Sequence, residues 1–274
     1  MLKNIKEYEE YLFRSEKSTA TVRKYLNDVG RFLAFVGDGE VSAEQARAYK
    51  EELSRKYSPQ SVNCAIASLN SFFKFCGRAE LCQKRLRVQR RVYCPEEREL
   101  CREEYFRLVK EAEKRKNERL ALLLQTICAT GIRVSELGFI TVESLAHGEA
   151  TVNCKGKLRR VLIVKELRKR LAAYAKKRGI VSGSIFITRS GNPLDRSNIW
   201  REMRSLCAAA RVSEKKVFPH NLRHLFAKMF YSIDKDISRL SDILGHSSID
   251  TTRIYIIESG AEHRKKMENM RLLI

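Results

Sequence analysis

No two of the eight cysteines form a CxxC pair, and no apolar run is long enough to cross a bilayer. Without close pairs of soft ligands a zinc site is not expected. Cys64, Cys76, Cys82, Cys94, Cys101, Cys128, Cys154 and Cys207 fall singly through apolar helical patterns, as buried free thiols do in a reducing cytoplasm. The opening stretch MLKNIKEYEEYL carries charges throughout and lacks the apolar centre of a signal peptide, so a cytoplasmic location is expected. There is no internal repeat and no low-complexity tract. Acid is scarce relative to base: 54 lysines and arginines face 33 acidic residues, a net charge of +21 and a pI of about 9.8. Such a chain repels basic partners and attracts polyanions, nucleic acid first among them. The excess is not a tail, because residues 1–94 carry +7 and residues 95–274 carry +14. With 274 residues, 43% of them hydrophobic, the chain can build one large or two medium domains with real cores.

Apolar residues at three- and four-residue spacing predict helices over 5–15, 19–36, 42–56 and 59–76. Ser18 or Thr19, Ser42 and Ser58 sit where an N-cap oxygen is wanted, Pro59 suits a first turn, and Gly37 and Gly39 mark a stop. An all-helical lobe follows. Residues 84–95, KRLRVQRRVYCP, have no acidic side chain and end on a proline, which reads as a basic extended linker or a solvated loop. Helical spacing returns over 97–113 and 117–130, where Gly131 ends the second helix. Two short β-type runs, 150–154 and 160–164, flank a basic turn containing Gly156 and predict a hairpin. Helices resume over 165–178, 197–210, 219–232, 236–244 and 248–257.

Four stretches carry groups suited to a phosphate. In TGIRVSEL, Arg133 and Glu136 are three apart and share a face, either as a surface ion pair or as a phosphate clasp oriented by a carboxylate. In FPHNLRHLFAKMF, Pro219 starts a helix that sets His220, Arg223 and His224 on one side and Leu222, Leu225, Phe226 and Met229 on the other. Helix-start amides and a guanidinium favour an anion there. His220 is the better proton handler and His224 the better structural group. In KGKLRR, Lys155 and Lys157 can either touch a DNA backbone or protonate a leaving oxygen. In LGHSSIDTTRIY, Gly245 caps a helix, His246 follows it, and Tyr255 comes nine residues later. A phenol titrates near 10, so a nucleophilic tyrosine must be activated by its surroundings.

Taken together, ATGIRVSEL, CKGK, HNLRHLFA and LGHSSIDTTRIY resemble the tyrosine recombinase (phage integrase) family, in that family's order and over nearly the whole chain. The form is the Xer-like one with two domains. The resemblance implies a mainly α fold: a SAM-like helical core-binding domain at 1–84, a basic linker at 85–95, and a mostly helical catalytic domain with a small β-sheet at 96–274. It further implies that Arg133, Lys155, His220, Arg223 and His246 surround a scissile DNA phosphate. Tyr255 would be the nucleophile, with Glu136 and His224 in support. Lys155 is favoured over Lys157 as proton donor because it directly precedes the glycine. Lys84, Arg85, Arg87, Arg90, Arg91, Lys157 and Arg159 are the expected DNA contacts.

The implied activity is site-specific cleavage and rejoining of double-stranded DNA through a 3′-phosphotyrosine, with no metal, cofactor or ATP. A homo-oligomer is implied, a tetramer on synapsed DNA, joined through the tail after Tyr255; packing of that tail within its own chain is the alternative. Two other activities share parts of this pattern. A type IB topoisomerase uses the same tyrosine chemistry but relaxes supercoils as a monomer, and a non-catalytic accessory protein would keep the fold alone. Chromosome-dimer resolution and the movement of a phage, transposon or other mobile element are equally compatible with the sequence.

Overall fold

Serine hydroxyls start three helices of the N-terminal unit. The computed structural model describes residues 5–37, 39, 41–88, 99–154, 157–188, 190–256, 264 and 267–270. The chain divides into two compact units, Met1–Arg90 and Arg91–Ile274. In the first, α1 (Ile5–Arg14), α2 (Thr19–Val36), α3 (Ala43–Lys56) and α4 (Pro59–Phe75) pack around Tyr8, Leu12, Val29, Phe32, Ile66, Phe72 and Phe73. Ser18, Ser42 and Ser58 accept the N–H groups of Thr21, Gln45 and Ser61, satisfying donors that a helix start leaves free.

The first residues of the basic segment remain attached to this unit. Asn70 Nδ2 donates to Gln83 O and Asn70 Oδ1 accepts Gln83 N–H, both at 2.9 Å. Asn63 grips Leu86 in the same way, at 2.9 and 2.7 Å. The two asparagines lie two turns apart along α4, and Leu86 packs on the core. Lys84, Arg85 and Arg87 are exposed along this tethered backbone. A boundary at residue 84 overlooks these amide pairs, because their partners lie far apart in sequence. Arg90 and Arg91 lie outside the described residues.

The second unit is built on α6 (Glu118–Thr130), whose buried residues lie on nearly every side, as suits a central helix. Around it pack α5 (Arg102–Lys114), α8 (Lys165–Lys177) and α11 (Pro219–Asp234). A short α7 (Val142–His147) precedes an antiparallel hairpin of β1 (Glu149–Cys154) and β2 (Lys157–Leu162). Then come α9 (Arg196–Ser205), α10 (Cys207–Ala210), α12 (Ile237–Leu244) and α13 (Ile249–Arg253). A satellite core of Ala227, Leu240, Leu244 and Tyr255, with Phe226 and Phe230, lies where α11, α12 and the chain after α13 meet. Among the described residues no helix is long and apolar enough to span a membrane.

Several local expectations shift. α5 begins at Arg102, where Glu104 Oε2 accepts the Cys101 N–H at 3.0 Å and closes the helix start. The second strand begins at Lys157 instead of 160, because Cys154 pairs directly with Lys157 and leaves a two-residue connection. This register sets Val152 opposite Arg159 and Ala150 opposite Val161 on the inward face, with Leu158 72% exposed on the other. The helix expected over 197–210 breaks at Leu206. α7, capped by Thr141 and Gly148, was not legible as a helix because it is a single short turn-and-a-half. Of the described free thiols only Cys207 is fully buried, whereas Cys64 and Cys101 are exposed. A thiol is small enough to be tolerated on either side of a helix.

Candidate active site

Gly131 ends α6 in the left-handed conformation (φ 62°), and a Cβ there would meet Phe226 Cδ1 at 2.5 Å. The chain then turns sharply into a 3₁₀ segment, Val134–Phe139, with Arg133 just before it and Glu136 in its first turn. Glu136 is 1% exposed, and both its oxygens are engaged. Oε1 accepts from Arg133 Nη1 at 2.8 Å; Oε2 accepts the Arg133 main-chain N–H at 3.0 Å and Arg159 Nη2 at 2.5 Å. Burial by itself would raise the pKa of this carboxyl. The hydrogen bonds from Arg133 and Arg159 and the Arg159 charge outweigh burial and hold it below the ordinary carboxylate value.

Three arginines converge on the carboxyl end of α12. Arg159 Nη1 donates to Ile243 O at 2.8 Å, Arg223 Nη2 to Leu244 O at 2.6 Å, and Arg133 Nη2 to Gly245 O at 3.3 Å. These consecutive carbonyls are the acceptors a helix end leaves free, at the negative end of its dipole. Arg223, only 1% exposed, also donates through Nη1 to Gly131 O at the end of α6, so one guanidinium ties two helix ends together. Its Nε is buried and has no hydrogen-bond partner among the described residues. Burial, then the neighbouring Arg133 charge, lowers its pKa to about 10, with Tyr255 opposing, and it stays cationic at neutral pH. Three guanidiniums against one carboxylate leave the cluster strongly positive.

Tyr255 is 4% exposed and surrounded by imidazoles: its ring centroid lies 5.3 Å from His220, 5.1 Å from His224 and 5.2 Å from His246. The phenol oxygen is 3.2 Å from His220 Nε2. His224 lies nearly parallel to the phenol, and its Nε2, 3.2 Å from Ile254 O, must carry the proton because a carbonyl only accepts. All three imidazole pKa values are lowered, by burial first. For His246, pushed down to about 4, the charges of Arg223, Arg133 and Arg159 add to burial; for His220 those of Arg223, His224 and Arg133 do. At neutral pH the three rings are therefore uncharged.

This has a measurable consequence for stability. Above pH ~6.5 neither the folded nor the unfolded histidines are charged. Below it the unfolded chain takes up protons that the fold refuses, so stability falls until the folded pKa is reached, by up to about 1.4 kcal/mol per pH unit per histidine. Urea midpoints should decline between pH 6.5 and about 4, the folded value for His246, and the decline should be shallower in His246→Asn.

Of the residues singled out from sequence, Arg133, Glu136, His220, Arg223, His224, His246 and Tyr255 meet in this one site. Lys155 lies outside the described residues, and Lys157 is placed in β2 by its backbone. Arg159, expected at a DNA surface, instead has its guanidinium committed to Glu136 and Ile243 inside the site. Its position two residues before the buried Val161 puts it on the inward face, a signal hidden by starting the strand at residue 160. Its stem crosses the turn after α12: a Cβ on Gly245 (φ 63°) would collide with Arg159 Cδ and lie 3.0 Å from Nε. Gly245→Ala should therefore destabilise the protein by about 1–3 kcal/mol in urea titrations, through left-handed strain and displacement of Arg159. Thr252, unlike Arg159, is not singled out by the sequence. It is fully buried and bonds His246, and its only sequence signal is that it precedes Tyr255 by three residues and so shares its face.

A tyrosine held against neutral imidazoles beside a guanidinium cluster, on a two-unit helical fold, defines the class of tyrosine recombinases. The chain belongs to the phage integrase family: the family's own model matches residues 98–261, and the phage integrase N-terminal SAM-like domain matches residues 5–80. It is similar to the tyrosine recombinase XerA of Thermococcus kodakarensis, with 31% identity over 98% of this chain and 95% of that protein. XerA of Pyrococcus furiosus is 28% identical over 98% of this chain and 94% of that protein. A crystal structure of XerA recombinase superposes with a TM-score of 0.56 at 27% identity, covering 99% of both chains. A lambda integrase (75–356) dimer bound to a COC′ core site shares the fold, with a TM-score of 0.73 at 16% identity over 93% of this chain and 95% of that one.

Proposed function

We propose that this protein is a site-specific DNA recombinase that exchanges strands of double-stranded DNA through a 3′-phosphotyrosine at Tyr255. The observation that carries this is the phenol oxygen 3.2 Å from the Nε2 of a neutral His220, beside Arg223, whose buried Nε has no partner among the described residues. An unpaired buried donor is costly, and a phosphate oxygen would satisfy it.

In this reading Tyr255 attacks the phosphorus while His220 accepts the phenol proton. Arg133 and Arg223 counter the charge that spreads over the pentacoordinate phosphorus, with Glu136 orienting Arg133 and His246 adjoining Arg223. Lys155 protonates the departing 5′-oxygen, and His224 supports the phenol ring. One phosphodiester is replaced by a phosphotyrosine ester of similar energy, so a 5′-hydroxyl of another strand can reverse the step without ATP. Lys84, Arg85 and Arg87, with Arg90, Arg91 and Lys157, are assigned to the DNA backbone, and strand exchange between two sites calls for a tetramer of this chain in the cytoplasm.

The test is to trap the covalent complex on a nicked duplex under denaturing conditions and map the modified peptide. An adduct on Tyr255 supports the assignment. No adduct on any nicked duplex recovered from genomic DNA, or an adduct on another residue, refutes it. Holliday-junction formation with paired sites separates recombination from relaxation.

A further inference from the structure

Thr252 is fully buried, and its Oγ1 lies 2.8 Å from His246 Nδ1. On the other side of that ring, His246 Nε2 is 3.0 Å from Arg223 Nη2. A guanidinium has donors only, so Nε2 must accept; a neutral imidazole that accepts on Nε2 carries its proton on Nδ1, and that proton can go only to Thr252. The Thr252 carbonyl meanwhile accepts the main-chain N–H of Tyr255 at 2.9 Å. One residue thus grips the imidazole with its hydroxyl and the nucleophile's backbone with its carbonyl.

We infer that Thr252 is a positioning residue of the strand-transfer reaction: its hydroxyl accepts the Nδ1 proton that the Arg223 contact assigns to His246, holds the ring in place, and so couples seating of Tyr255 to the placement of Arg223. This rests on the function proposed above. With the hydroxyl gone, the Nδ1 proton has no acceptor, and Arg223 alone still favours it there. In the alternative tautomer an imidazole N–H would point at a guanidinium N–H, and either Arg223 or the ring would have to move. The same Nδ1–H···Oγ1 bond survives if Nε2 gains a proton when an anion arrives, so Thr252 holds the ring in place while Nε2 changes from acceptor to donor.

The experiment compares Thr252→Val, which keeps the shape and loses the acceptor, with Thr252→Ser, which keeps the hydroxyl. Single-turnover adduct formation on a nicked duplex is expected to slow by about 10- to 100-fold in the valine variant and to return to within a few-fold of wild type in the serine variant. Long-range ¹⁵N–¹H spectra, with His246 assigned through His246→Asn, should show the proton on Nδ1 in the wild type and the serine variant, and a tautomer mixture in the valine variant. A wild-type His246 protonated on Nε2, or a valine variant that reacts at the wild-type rate, overturns the inference. If the wild-type protein forms no adduct at all, the recombinase reading fails instead, and the spectra alone decide the role of Thr252.

Discussion

DNA bound but never joined to protein is the expected behaviour of Tyr255→Phe. The substitution removes one hydroxyl and leaves the ring among His220, His224 and His246, so the loss of stability is confined to one hydrogen bond, about 0.5–1.5 kcal/mol. The change in chemistry is far larger, because no other group could take the same position. Loss of an enzyme nucleophile costs on the order of 10⁶ in rate, which places strand joining at background. A denaturing gel for the covalent complex and a mobility shift for affinity check the two halves separately. Adduct formation by the phenylalanine variant within a hundredfold of wild type would remove Tyr255 from the mechanism.

Arg223→Ala should damage both activity and fold. Loss of one preorganised donor to a developing oxyanion costs about 10²–10³ in rate. The same guanidinium also satisfies the carbonyls of the buried Gly131 and Leu244, and each buried carbonyl left without a donor costs about 1–3 kcal/mol. The urea midpoint should therefore fall measurably, unlike that of the tyrosine variant. Arg223→Lys should restore little of either quantity, since a single ammonium on a flexible stem cannot reach both carbonyls and His246 together. Rates near wild type in Arg223→Ala would refute the placement of this arginine at the phosphate.

Much of the fold could be read from local chemistry. The serine caps at Ser18, Ser42 and Ser58 and the glycine stops at Gly131 and Gly245 lie at the helix ends their side chains favour, because capping satisfies groups within three or four residues of the cap. Groups whose partners lie far along the chain were harder to read. Arg159 looks like a DNA contact until the hairpin register turns it toward Glu136, and Lys84 and Arg85 look like free linker until Asn63 and Asn70 hold the flanking backbone.

The amino-acid order alone determined the helix starts and stops, the positive charge, and the residue types suited to phosphate chemistry, since each depends on composition or on neighbours within a turn. Tertiary structure decided which of those residues meet. Arg133, Arg159 and Arg223 come from three separate elements and meet where the carboxyl end of α12 offers them consecutive carbonyls and Glu136 joins the first two. It also decided how far the pH must fall before His220 and His246 take up a proton, because burial beside fixed guanidiniums, absent from any isolated peptide, lowers both pKa values.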